Sequence, residues 1–184
     1  MNKKITIIIA TKKFSRNLLK TINSINKQSY KPIEIIIISN EKIFQSFKFN
    51  KKVKLKKFIS NVKNQVVQRN IGIDNISKKT DLILQLDDRV ILKKNCLYEL
   101  NKFWINAEPS VIGVGINQIN TLNNTGLFNK FINRFNSFKG KVLSNGISTD
   151  YSNITNDLEV MWLKGGLSSW KSNQIKRISN RKYP

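Results

Sequence analysis

The stretch DLILQLDDRVIL, residues 81–92, decides the fold. An apolar run from Leu82 ends abruptly at Asp87-Asp88-Arg89, and a second apolar run follows. A run this short with such flanks predicts a strand buried on both faces, as parallel strands are. Two carboxylates at the C-terminal end of such a strand stand where open α/β sheets bind ligands. Side by side they repel, so they call for a cation, commonly a hard divalent metal with oxygen ligands. The competing reading is a turn that ends the strand, since Asp is favoured in turns.

Outward from this stretch the chain alternates strands and helices. Residues 5–10 are a β-branched run and predict a buried first strand. Ser15 is positioned to cap a helix in which Leu18, Leu19, Ile22 and Ile25 keep an apolar stripe. After Pro32, residues 33–38 predict a second apolar strand ending in Ser39-Asn40, and residues 52–58 a weaker third one with a solvated face. Residues 62–76 read as a helix with Val62, Val66, Ile73 and Ile76 as its stripe and Arg69-Asn70 inside it. A helix over 95–106 carries Leu97, Leu100 and Trp104, and residues 111–116 predict a further strand. Such an order implies a doubly wound α/β sheet with right-handed crossovers. From 117 to 156 the pattern dissolves into Asn, Thr, Ser and Gly, which predicts a long loop or helical insertion with a strand near 141–144. Order returns over 158–163, before Gly165-Gly166 and an amphipathic tail.

Composition narrows the chemistry. With 184 residues, 40% of them hydrophobic, the chain can bury a real core. Its single cysteine, Cys96, excludes an internal disulfide and fits a reducing compartment. Histidine is absent, which removes Ser-His-Asp and Cys-His catalysis and His-ligated zinc. The net charge of +22 raises nucleic acid as a partner. Lysine is nevertheless spread along the chain with abundant Asn and Ile, and no aromatic-interleaved basic motif appears, so no nucleic acid is expected. Attraction to an anionic membrane surface, worth about 1 kcal/mol per basic residue near the headgroups, suits the charge better. No apolar segment reaches the ~20 residues of a membrane span, and the first strand is too short for a secretory signal. The expected location is cytoplasmic, including the inner face of the cell membrane.

Taken together, these segments resemble the nucleotide-sugar-binding half of a family 2 glycosyltransferase of the GT-A fold. The resemblance covers nearly the whole chain. Ile7-Ile8-Ile9-Ala10-Thr11 is similar to the family's opening strand, and Leu18-Leu19-Lys20-Thr21-Ile22 with Gln28-Ser29-Tyr30-Lys31-Pro32 to its first helix and second strand. Arg69-Asn70-Ile71-Gly72 resembles the family's R-N-x-G helix, and Asp87-Asp88-Arg89 stands in the place of its D-x-D motif. Gly140-Lys141-Val142 and Trp162-Leu163-Lys164-Gly165-Gly166 resemble later elements, the second like the acceptor-side W-x-x-G-G.

The resemblance implies transfer of a sugar from a nucleotide-diphospho-sugar to the hydroxyl of a saccharide or lipid-linked acceptor, with inversion, in cell-surface polysaccharide or glycolipid synthesis. It implies residues 1–116 as the donor-binding part and 117–184 as part of the acceptor side. Thr11, Asn40, Arg69, Asp87 and Arg89 would bind the donor. Asp88 and Asp87 would hold Mn²⁺ or Mg²⁺, which stabilises the leaving diphosphate as a Lewis acid. Trp162, Gly165 and Gly166 would shape the acceptor side.

Three departures stand against this pattern. Ser39-Asn40 replaces the family's acidic end of the second strand, and Arg89 replaces the last carboxylate of D-x-D. Arg89 either leaves Asp88 as the ligand or supplies charge to the diphosphate itself. After Glu159 there is no carboxylate to match the family's catalytic base, which implies a truncated chain; Asp150, Asp157 and Glu159 are the nearby substitutes. General-base catalysis contributes ~10²–10⁴-fold, so a degenerate, non-catalytic nucleotide-binding or partner-binding module is the alternative. A nucleotidyltransferase of similar topology would need a glycine-rich phosphate loop after the first strand, and Thr11-Lys12-Lys13-Phe14-Ser15-Arg16 has no glycine.

Overall fold

A computed structural model describes residues 1–118, 139–142, 144, 148–150, 154 and 156–179. The isoleucine-rich segments form its centre. Strands β1 (Ile5–Thr11), β2 (Glu34–Ser39) and β4 (Leu82–Asp87) are buried along almost their whole length, which requires cover on both faces. β2 and β4 flank β1 in parallel, and β3 (Lys54–Ile59) adds in parallel outside β2. β6 (Leu167–Lys171) runs antiparallel along β4, and the short β5 (Gly113–Gly115) lies beyond it, giving the order β3-β2-β1-β4-β6-β5. The sheet is thus mostly parallel and flanked by helices, as expected from the sequence.

Side-chain alternation sorts the core into two layers. Ile8, Ile36, Ile38 and Ile83 point to one face, where they pack with Ile73 and Ile76 from α2 (Gln65–Asp74) and its exit, and with Ile175 of α4 (Ser172–Ser179). The opposite face takes Ile7, Ile9, Leu84 and Leu86, all inaccessible to solvent. Trp104 of α3 (Cys96–Asn106) reaches this second layer, because its indole N–H donates to Ser169 Oγ, and Ser169 lies opposite Leu84. α1 (Arg16–Asn26) begins where the hydroxyl of Ser15 accepts from the Leu18 N–H, as the sequence predicts, and buries Leu18, Ile22 and Ile25. α2 starts later than expected, because Asn64 caps Val66 and Val67 with its side-chain oxygen.

Several expectations need correction. The lysines of β3 do not simply face solvent. Lys56 Nζ lies 2.8 Å from the buried carboxylate of Glu34, and Lys57 Nζ donates to the Ile43 and Gln45 carbonyls. Among the described residues the strand expected near 141–144 shows as an antiparallel bridge between Val142 and Ser148, and Leu143 lies outside them. Residues 119–138, the heart of the expected insertion, lie outside the described residues. No strand forms over 158–163; the regular segment is β6, four residues later, whose two buried serines disguise it. By compactness the chain divides into residues 1–114 with 165–184, and residues 115–164. In the second unit, Trp162 donates to the Thr149 carbonyl, and Lys164 pairs with Asp150 at 2.8 Å.

Gly72 explains one motif position. A Cβ there would lie 2.5 Å from Ile8 Cγ2 and 2.9 Å from Ile38 Cδ1, both in the closed layer beneath α2. Overpacking a core costs ~1–3 kcal/mol, more than the ~1 kcal/mol that Gly→Ala returns in helix propensity. Gly72→Ala is therefore expected to lower the urea midpoint, with no change in the denaturant slope.

Candidate functional site

In the strand order β1 and β4 are neighbours, and the connection from β1 leads to β2 on one side while that from β4 leads to β5 on the other. The crevice outside the carboxyl ends of two such strands is where open α/β sheets bind ligands. Here those ends carry Thr11 on β1 and Asp87-Asp88 on β4, with Ala10 and Asp87 in register.

The two aspartates are held by different elements. Asp88 lies in the turn after β4, and its Oδ2 accepts from the Thr11 hydroxyl at 2.5 Å. That hydroxyl has one proton; the Lys13 carbonyl, at 3.0 Å, is its weaker alternative acceptor. Thr21 of α1 donates its hydroxyl to the Asp88 backbone carbonyl and fixes the turn. Among the described residues, no cation stands within ion-pair distance of Asp88.

Asp87 points to the α2 side, and its Oδ1 receives two donors. Arg69 Nη2 approaches at 2.8 Å and Gln65 Nε2 at 2.7 Å. The Arg69 side chain is only 14% exposed, against 44% for Asp87, so the pair is shielded from one side only. Gly165 and Gly166 close that side. The Asp87 N–H donates to the Gly166 carbonyl at 2.9 Å. A Cβ on Gly166 would fall 2.1 Å from the Asp87 carboxylate, and one on Gly165 would fall 2.7 Å from Arg69 Nη1. The glycine pair is therefore required by the ion pair beneath it. Arg69 Nε is buried with no hydrogen-bond partner among the described residues.

Asn40 is drawn into the scaffold. Its Nδ2 donates to the carbonyls of Ser60 and Val62, and its Oδ1 accepts from Gln68 Nε2, which also donates to the Thr11 carbonyl. This network ties the ends of β1, β2 and β3 to α2. Arg89 is exposed and makes no ion pair among the described residues. Trp162 belongs to the other compact unit, as do Asp150, Asp157 and Glu159; Asp157 and Glu159 are exposed.

Gln65 and Gln68 escaped the sequence reading, which assigned Val62 and Val66 to the buried stripe of α2. Both valines are more than half exposed. The signal was present in the spacing: Gln65, Gln68, Arg69 and Gly72 recur at i, i+3, i+4 and i+7 and form the sheet-facing side. That side is polar at its N-terminal end because it meets the carboxylates rather than the isoleucine core.

As donor set, Asp88 offers hard oxygen, and Asp87 retains its Oδ2. Among the described residues no three His, Cys, Asp or Glu side chains group into a cage. The residues thus fit a cation that takes most of its ligands from water and phosphate oxygens, the manner in which Mg²⁺ is commonly bound.

The family model described as "Glycosyl transferase family 2" matches residues 6–155. A mannosyltransferase from Pyrobaculum calidifontis, in complex with GDP-Man and Mn²⁺, superposes with a TM-score of 0.60 at 12% identity, covering 97% of this chain and 47% of its own. Residues 1–349 of S. aureus TarS give 0.52 at 12% identity, covering 95% and 49%. The 4-diphosphocytidyl-2C-methyl-D-erythritol synthase of Anaerococcus prevotii gives 0.55 at 9% identity, covering 99% and 78%. At such identities these likenesses show the fold alone. The chain spans about half the length of the two transferase structures. No curated protein sequence matches.

If the glycine pair exists to admit the ion pair, the two must be energetically coupled. Gly166→Ala is expected to destabilise the chain by ~1–3 kcal/mol. In an Asp87→Ala background the same substitution should cost at least about 1 kcal/mol less, as read by a double-mutant cycle of urea unfolding.

Proposed function

This chain belongs to glycosyl transferase family 2, and from that premise we propose that the ends of β1 and β4 bind the diphosphate of a nucleotide-sugar donor. The reading extends to transfer of the sugar, with inversion, to the hydroxyl of a saccharide or lipid-linked acceptor in cell-surface polysaccharide or glycolipid synthesis. In that reaction the acceptor oxygen bonds to the anomeric carbon while the bond to the diphosphate breaks. The acceptor proton passes to a base that none of the described residues is assigned to supply. Residues 1–116 are read as the donor part and 117–184, with Trp162, as belonging to the acceptor side.

The observation that carries the proposal is the division between the two carboxylates at the switch point. Asp87 has its charge matched by Arg69, whereas Asp88 is oriented by Thr11 and has no cation among the described residues. A carboxylate so placed suits Mn²⁺ or Mg²⁺, which when bound would offset charge on the leaving diphosphate. Thr11 keeps the Asp88 carboxylate aimed, and Thr21 keeps its backbone in the turn. Arg69 lies at the same end of the sheet and Arg89 is an exposed cation beside Asp88, so both can donate to phosphate oxygens. The Asn40–Gln68 network holds the ends of β1, β2 and β3 together, leaving Asn40 Oδ1 a second lone pair for a nucleoside donor group. The glycines support this end of the sheet through Asp87 and Arg69. Among the described residues no helix is long and apolar enough to cross a membrane. We place the chain in the cytoplasm.

The test is calorimetric titration with UDP-, GDP- and dTDP-linked sugars, each with and without Mn²⁺. Metal-dependent binding of one nucleotide, lost in Asp88→Ala, is expected. Absence of binding to any donor, with or without metal, contradicts the proposal and favours the non-catalytic partner-binding reading.

A further inference from the structure

Beside the carboxylates, at the same end of the sheet, lies a surface that the donor reading does not use. Phe44 is 79% exposed, and Ile59, Val62 and Val66 are each more than half exposed. All four belong to segments that frame the outer edge and carboxyl end of β3: Phe44 and Ile59 on the face away from α2, Val62 in the turn that follows, and Val66 on α2 itself. Lys57 Nζ holds the carbonyls of Ile43 and Gln45 against β3, Ile43 is buried, and Phe44 between them turns outward. Ile59 is on the same side of β3 as Lys57, two residues closer to the carboxyl end. Asn40 ties the following turn, at Ser60 and Val62, to the end of β2, and Val66 is in the first turn of α2.

The setting of this rim is basic. Residues 41–67 contain eight lysines and a single carboxylate, Glu41. Lys42 Nζ sits 5.1 Å above the Phe44 ring, and Lys63 lies exposed between Val62 and Val66. Exposed apolar side chains with lysines around them make the pattern of proteins that rest on anionic bilayers. The aliphatic tips gain by leaving water for the acyl boundary, and the ammonium groups gain from the headgroup potential. A nucleic acid would reward the lysines but not Ile59, Val62 and Val66, since it is gripped by stacking rings and phosphate contacts. A second copy adding a strand to β3 is opposed by the lysine-dense edge itself.

We propose that the rim of Phe44, Ile59, Val62 and Val66, with its flanking lysines, docks this protein on an anionic lipid bilayer. Under the transferase reading, on which this orientation rests, docking there holds the carboxylate end of the sheet at headgroup depth, where a lipid-linked acceptor presents its hydroxyl.

The test is co-sedimentation of the purified chain with vesicles of phosphatidylcholine, alone or mixed with phosphatidylglycerol. Binding to the mixed vesicles only is expected. It should fall at least about tenfold in Phe44→Ser/Val62→Ser/Val66→Ser, because the inserted apolar area is lost. A control, Lys78→Gln/Lys79→Gln, removes two positive charges just before β4, remote from the rim, and should change binding little. The three residues of the triple variant and the two of the control are all exposed, so unfolding midpoints provide the check that each variant folds. No binding to mixed vesicles, or equal loss in both variants, overturns the proposal. So does a solution dimer abolished by the triple variant, or binding to single-stranded RNA in preference to vesicles. Because no nucleotide sugar is present, these outcomes are independent of whether the donor site works.

Discussion

The ion pair between Asp87 and Arg69 constrains much of the surrounding architecture. A carboxylate at the end of a buried strand has lost part of its hydration and needs a counter-charge or hydrogen-bond donors. Arg69 and Gln65 supply both, from one face of α2, and this sets the helix's orientation over the strand ends. The chain returning through Gly165-Gly166 must then pass directly above the pair, too close for any side chain. From there it enters β6 and completes the sheet along β4. One electrostatic requirement thus links α2, β4 and β6 across nearly a hundred residues of sequence.

With Asp87 committed to Arg69, the chemistry of the site falls to its neighbour. Asp88 takes its orientation from a hydroxyl, and a hydroxyl contributes a proton but no charge. Two adjacent aspartates therefore stand in different electrostatic surroundings, one matched by a guanidinium and one not. Arg89, in the position that the D-x-D pattern gives to its second carboxylate, is directed to solvent. This difference is why Asp88, rather than the pair, is assigned to the metal in the proposed function.

The sheet was legible from the sequence because its strands are continuous apolar runs with polar ends. Residues 5–10, 33–38 and the run after Leu82 each locate a strand to within a residue or two. Most segments that carry the family resemblance lie within residues 6–155, which the family model matches; Trp162 to Gly166 lie beyond them. β6 was not legible, since Leu167-Ser168-Ser169-Trp170-Lys171 has neither alternation nor an apolar run; its serines are buried as hydrogen-bond partners of Trp104 and Trp170. The polar face of α2 was missed for a related reason. An apolar stripe drawn through Val62 and Val66 assumes that the buried side of a helix is apolar along its whole length. Here the helix starts beyond the end of the core, and its first inward-facing positions, Gln65, Gln68 and Arg69, serve carboxylates and carbonyls instead.

The central claim is that the two aspartates divide their work, Asp88 holding the cation and Asp87 holding the fold. Electron paramagnetic resonance of Mn²⁺ titrated with protein in the presence of UDP or GDP tests it directly. Asp88→Asn should weaken Mn²⁺ binding by at least about tenfold while leaving the unfolding midpoint nearly unchanged. Asp87→Asn should instead lower the midpoint and leave the Mn²⁺ affinity within a few-fold of the parent. Loss of Mn²⁺ binding in Asp87→Asn with full retention in Asp88→Asn would contradict the assignment.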